Sequence, residues 1–181
     1  TIQATYSVDS NYNGATGSAL LTVTTSSPVL TWASPAAITY GTPLSSTQLN
    51  ATSGGIAGTL AYTPAAGTVL PAGTQTLSVT FTPTDSIDYS TQTATVALAV
   101  NKAPLSVTPN NASKTYATVN PAFTGSIVGL VNGDMITATY ASGATTSTVG
   151  GGDSTGGNVM AATLSDPGNK LPNYTLTQNL G

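Results

Sequence analysis

Apolar and polar residues alternate along Gly73-Thr74-Gln75-Thr76-Leu77-Ser78-Val79-Thr80-Phe81-Thr82, placing Leu77, Val79 and Phe81 on one face of an extended strand. Thr93-Ala94-Thr95-Val96-Ala97-Leu98-Ala99-Val100 alternates in the same way. Both segments predict half-buried antiparallel strands with threonine on the wet side, where its branched side chain still favours extended backbone. The seven-residue link from Pro83 to Tyr89 is polar and turn-rich. Upstream, Val29-Leu30-Thr31-Trp32 precedes Pro35 and Thr39-Tyr40-Gly41 precedes Pro43, so short strands are punctuated by Pro and Gly. Gly54 to Pro64 adds a hairpin or a central strand. Gly, Pro and Thr interrupt every window before three helical turns accumulate, which excludes helix as the main element.

The pattern then repeats. Ile38-Thr39-Tyr40-Gly41-Thr42-Pro43-Leu44 is echoed by Lys114-Thr115-Tyr116-Ala117-Thr118-Val119-Asn120-Pro121, with Tyr40 and Tyr116 76 residues apart. A second landmark occurs three times, ending at Tyr12, Tyr89 and Tyr174. Leu105-Ser106-Val107-Thr108 takes the place of the Trp32 strand, Met135 to Tyr140 that of the Tyr62 strand, and Met160, Ala162 and Leu164 that of Leu77, Val79 and Phe81. Gly150 to Gly157 reads as a flexible loop at a domain end.

A period of this size is that of one small domain, and short strands with frequent turn signals describe a sandwich. The fold expected is all-β, in tandem immunoglobulin-like Greek-key β-sandwiches. Aligning the landmarks gives three parts: residues 1–25 as terminal strands of a preceding or complementing unit, residues 26–100 as a complete domain, and residues 101–181 as a domain lacking its last strand. Such a domain exposes an edge that invites pairing, and residues 1–25 are the right kind of strands to fill it in another copy. A cut through a longer repetitive protein gives the same offset.

Composition narrows the chemistry. Only 5% of the 181 residues are charged, where ordinary soluble domains carry about a quarter. Solubility falls to 35 Thr, 19 Ser and the amides. Three Lys and no Arg cannot neutralise a phosphate backbone, which excludes nucleic acid as a partner. No apolar run is long enough for a spanning helix, so no membrane insertion is expected. Without Cys there is neither a disulfide nor a thiolate metal site.

Catalysis lacks its usual groups, because His, Cys and Glu are absent and Lys102, Lys114 and Lys170 stand in no serine-lysine spacing. No catalytic, cofactor-binding or metal site is expected. Asp85 and Asp88 bracket a turn where carboxylates and carbonyls could hold calcium, but turn capping by the Asp side chain is the plainer reading. Tyr12, Tyr89 and Tyr174 fit a tyrosine corner, with a buried ring and a hydroxyl tying the crossing loop. Trp32 and Phe81 are expected to anchor the core; an exposed aromatic platform for sugars is the rival reading of Trp32. An isopeptide bond is impossible in 26–100, which has no lysine, and in 101–181 it lacks the usual Glu partner. The threonine-rich faces follow strand propensity rather than a flat ligand-binding array. Asn111-Ala112-Ser113 and Asn173-Tyr174-Thr175 match the short glycosylation acceptor pattern.

Residues Asn101-Lys102-Ala103-Pro104-Leu105-Ser106-Val107, Asn111 to Phe123, Gly129-Leu130-Val131-Asn132-Gly133-Asp134 and Pro172-Asn173-Tyr174-Thr175 together resemble the MBG family, bacterial immunoglobulin-like modules found in tandem in large secreted or surface proteins. Residues 35–102 look like a related module that has Trp32 and lacks the Gly-Leu-Val-Asn-Gly-Asp stretch. The resemblance implies an extracellular or bacterial cell-surface location and no catalytic residues. It suggests a structural spacer in a fibre, stalk or adhesin, whose partners are neighbouring repeats or identical subunits. The alternative is a binding module for surface glycans or a host protein, and the two part on whether the aromatics around Trp32 face solvent.

Overall fold

The computed structural model describes residues 2–142 and 160–180. The strands described are β1 (Ile2–Tyr6), β2 (Ala15–Ala19), β3 (Ile38–Thr39), β4 (Gly58–Thr63), β5 (Gly73–Pro83), β6 (Gln92–Asn101), β7 (Ala103–Pro109), β8 (Gly125–Val128), β9 (Thr137–Ser142), β10 (Met160–Ser165) and β11 (Tyr174–Gln178). Helix is confined, among the described residues, to one 3-10 turn at Leu171–Asn173. None is long and apolar enough to cross a membrane.

The longest alternating segments form the first sheet. Strands run in the order β3-β6-β5-β4, with β5 antiparallel to β4 and β6, and β3 parallel to β6. Leu77, Val79, Phe81, Leu98 and Val100 are buried on one face, as the period of two requires. Leu44, Leu49 and Leu70 cover that face from the connecting segments, and Trp32 and Tyr62 pack beside them. A second sheet, β11-β7-β8, has β11 parallel and β8 antiparallel to β7. The β9–β10 pair forms a separate two-stranded sheet, and its Leu164 packs against the common core. The result is mostly β and of the Ig-like, sandwich type.

Several local readings shift. Val29 to Trp32 makes one isolated bridge, Thr31 to Thr52, instead of a continuous strand. Pro28 and Pro35 deprive the segment of ladder donors on either side. Gly54 to Pro64 supplies β4, an edge strand rather than a central one. Its Gly58 lies so close to β5 that a Cβ would meet the Thr82 carbonyl at 2.4 Å and the Phe81 ring at 2.5 Å. Strand β9 begins two residues later than Met135. The Gly150 to Gly157 loop, and the side chain of Met160, lie outside the described residues.

Strands β1 and β2 form an antiparallel hairpin whose residues are all exposed, including Ile2 and Tyr6. Its turn copies the one between β5 and β6. The Asp9 Oδ1 accepts the Asn11 and Tyr12 N–H groups at 2.8 Å each, and the Asp85 Oδ1 accepts those of Ile87 and Asp88 at 3.0 and 3.1 Å. The Tyr6 hydroxyl adds a bond of 2.6 Å to Asp9, which with the two N–H groups holds this carboxyl below the usual range.

The repeated tyrosine turn also copies closely. Thr42 N–H reaches the Thr39 carbonyl at 3.0 Å with Gly41 at φ 95, and Thr118 N–H reaches the Thr115 carbonyl at 3.2 Å with Ala117 at φ 62. A left-handed third residue suits glycine, and alanine there bears a steric cost. Ala117→Gly is therefore expected to stabilise the chain by roughly 0.5 kcal/mol, the relief exceeding the entropy glycine adds to the unfolded state. A lowered urea midpoint for this variant would contradict the assignment.

Candidate functional site

The two sheets share one hydrophobic cluster. Ile38, Tyr40, Leu44, Leu77, Leu98 and Val100 continue without a break into Ala103, Leu105, Ile136 and Tyr174. Only Lys102 separates the end of β6 from the start of β7, so the sheets are joined by a very short link.

A polar clamp sits within this apolar junction. Val131-Asn132-Gly133-Asp134 makes a tight turn with φ 57 at Asn132 and φ 70 at Gly133, closed by Asp134 N–H to the Val131 carbonyl at 3.1 Å. Asn-Gly is the pair that most readily takes two successive left-handed conformations. The turn presents the Asp134 carboxylate to two tyrosines. Its Oδ2 accepts the Tyr174 hydroxyl at 2.7 Å and the Tyr40 hydroxyl, 94 residues distant in sequence, at 3.0 Å. Tyr174 has one phenolic proton, and the charged acceptor at the shorter distance takes it in preference to the Val131 carbonyl at 3.2 Å. The Tyr174 oxygen in turn accepts Val131 N–H at 3.1 Å. The two rings meet edge to face, with centroids 5.5 Å apart and planes at 81°.

Backbone contacts complete the clamp. Ala72 N–H donates to the Asn173 Oδ1 at 2.9 Å, and Tyr40 N–H to the Asn101 carbonyl at 2.8 Å. Gly41 lies against Val131 so tightly that a Cβ would come within 2.8 Å of its Cγ2. Glycine here serves both the positive φ and the close approach.

Burial, followed by the Asp134 carboxylate, pushes the Tyr40 hydroxyl above its ordinary value. Burial likewise dominates at Tyr174, whose pKa is pushed up to about 12. The neutral phenols are thus favoured by folding. Their contribution is complete below the ordinary tyrosine value of 10.0 and is lost as pH rises towards about 12. Loss of roughly 2 kcal/mol is expected across this alkaline window. Urea midpoints as a function of pH, read beside phenolate absorbance, check it; two tyrosines titrating late should accompany the fall in stability.

Of the tyrosine-corner residues expected from sequence, Tyr174 is buried and ties the crossing loop as anticipated. Tyr89 is half-buried, and Tyr12 is exposed on the β1–β2 hairpin. Phe81 is buried in the core. Trp32 is half-buried, set edge-on to Tyr62 with centroids 5.4 Å apart, and its indole N–H donates to the Gln48 carbonyl at 3.0 Å. This ring is an anchor and not a flat platform in solvent. Asp85 uses one carboxylate oxygen to cap its turn, and among the described residues no group of three or more acidic, His or Cys side chains could hold a metal. Asn173 is buried with its amide oxygen engaged by Ala72, which leaves it unsuited to glycosylation in the folded chain. Asp166 is a local brace: its Oδ2 accepts Leu171 N–H at 2.7 Å, the main reason its carboxyl sits below the usual range.

Sequence reasoning singled out Tyr40 as a repeat landmark, Tyr174 as a tyrosine corner and Val131 to Asp134 as part of the family resemblance, but did not bring the three together. The available signal was the pairing of a Tyr-Gly turn in one repeat with an Asn-Gly-Asp turn in the next.

An Ig-like, sandwich-type β module with a structural junction is the class these features define. Residues 105–181 match the family model described as MBG domain (YGX type), so the chain carries such a domain there. It is a non-catalytic structural fold, and modules of this kind occur in large bacterial extracellular and surface proteins, which supports an extracellular or surface location. Neither the curated proteins nor the solved structures compared with the chain give a match.

Proposed function

We propose that the chain is a stretch of a bacterial extracellular fibre, stalk or adhesin, built from tandem Greek-key units that transmit orientation from one to the next. In this reading residues 1–25 are terminal strands of a preceding or complementing unit, 26–100 form a complete unit, and 101–181 form the MBG-type unit, open to strand donation from another copy. The Tyr40–Asp134–Tyr174 clamp carries the proposal. It joins residues from both repeats through a shared carboxylate inside a continuous apolar core. A flexible string of beads needs no such contact, whereas a stiff spacer does. The exposed β1–β2 hairpin and the edge position of β11 support head-to-tail strand complementation as the mode of assembly.

The test is the relative orientation of the two sheets in solution. Residual dipolar couplings from 26–100 and from 101–181 of the full chain are expected to fit one alignment tensor. Two independent tensors would show freely moving units and remove the spacer reading.

A further inference from the structure

Tension along a serial chain enters a unit at its first residues and leaves at its last, and in residues 26–101 those two segments lie side by side. Ser26 bridges Tyr89 in parallel, and β3 pairs in parallel with Val100 and Asn101 at the end of β6. Ser26 N–H donates to the Asp88 carbonyl at 2.7 Å, Ser90 N–H to the Ser26 carbonyl at 2.9 Å, and Tyr40 N–H to the Asn101 carbonyl at 2.8 Å. The segment 26–40 is thus fastened near both of its ends to β6 and the residues that lead into it. Thr25 and Lys102, which flank this path, are interior residues with chain on either side.

Parallel pairing decides how the load is felt. Force that draws Thr25 and Lys102 apart pulls the two segments past each other along their own axes, in opposite senses. The bonds between them then share the load and must fail nearly together, whereas an antiparallel ladder pulled at its open end parts one pair at a time. Burial reinforces the contact. Ile38 and Val100 are 9% and 4% exposed and belong to the common core, so water competes poorly for the bonds beside them. On its other side β6 is paired with β5 from Gly73 to Phe81, which keeps it from yielding sideways. Tyr40, the residue after β3, is also held on Asp134, so the far end of the leading segment is anchored across the junction. The later repeat has the same arrangement, its opening strand β7 lying parallel to β11 from Ala103 and Tyr174 to Val107 and Gln178.

Resting on the fibre or stalk reading above, we infer that residues 26–101 form a tension-bearing unit, in which the 26–40 segment and β6 act as a shear clamp against force drawn along the chain. Resistance of this kind comes from the direction of the load and is separate from equilibrium stability, because forced unfolding follows the barrier along the pulled path. A module that only had to fold would gain nothing from placing its first and last segments in parallel.

The chain has no cysteine, so handles for single-molecule pulling can be attached at chosen thiols in the full chain. Thr25→Cys with Lys102→Cys loads the parallel contacts in shear. Thr74→Cys with Lys102→Cys pulls at the open end of the β5–β6 ladder and opens it pair by pair. All three positions are exposed. At one loading rate, the first geometry is expected to require at least about twofold more force than the second. Ser26→Pro removes the N–H given to Asp88, and is expected to lower the force in the first geometry while leaving the second unchanged. Equal forces in the two geometries, or an equal loss in both from Ser26→Pro, would overturn the inference. One alignment tensor together with equal forces would leave the spacer reading standing and dismiss the load-bearing role alone; two tensors together with a directional difference would do the reverse.

Discussion

Asp134→Ala is expected to destabilise the chain by about 3 kcal/mol, and to do so by loosening one repeat from the other. The carboxylate accepts two tyrosine hydroxyls, at 2.7 Å and 3.0 Å, whose rings are almost fully buried. Removing it leaves one phenol to compete for the Val131 carbonyl and the other without its charged acceptor. A lost hydrogen bond to a charged group costs more than a neutral one because the remaining buried donor stays desolvated. The urea midpoint measures the total. A double-mutant cycle with Tyr40→Phe isolates the part that crosses the junction, and a coupling energy of roughly 1 kcal/mol is expected. Coupling indistinguishable from zero would mean that Asp134 merely orders its own loop.

The second large effect is steric. Gly129 precedes the same loop at φ 103, and a Cβ there would lie 2.2 Å from the Pro104 carbonyl oxygen and 3.2 Å from its carbon. Both neighbours are backbone of β7, which is held between β8 and β11 and cannot step aside. Gly129→Ala is expected to cost at least about 3 kcal/mol, from the clash together with the disfavoured backbone conformation. Gly133→Ala provides the comparison. It also has a positive φ, 70, but its Cβ would meet nothing within 4 Å, so a cost of about 1 kcal/mol is expected from conformation alone. Similar losses in the two variants, by chemical denaturation, would refute the assigned role of the β7 contact.

The period-two alternation made the strands around Leu77 and Leu98 legible, because a half-buried strand writes its two faces directly into the order of residues. The same reading was less successful at Val29 to Trp32. Prolines flanking so short a stretch allow one bridge to Thr52 but no ladder, and hydrophobic content alone does not reveal that. Turn chemistry was legible in part. Asp85 looks alike in sequence as a metal ligand or as a turn cap, and only the structure shows one of its oxygens accepting two backbone N–H groups.

By itself, the sequence determined an all-β chain, a repeat of about one small domain, and a surface of hydroxyls with too little charge for nucleic acid and no imidazole or thiol for ordinary catalysis. These properties depend on residue type and short-range periodicity. The tertiary structure alone decided that Tyr40 in one repeat and Tyr116 in the next, so alike in sequence, have opposite fates. Tyr40 meets an aspartate 94 residues away and is buried, whereas Tyr116 remains in solvent. The physical reason is that a side chain's environment is set by what folds against it, and local sequence carries no information about a partner that distant.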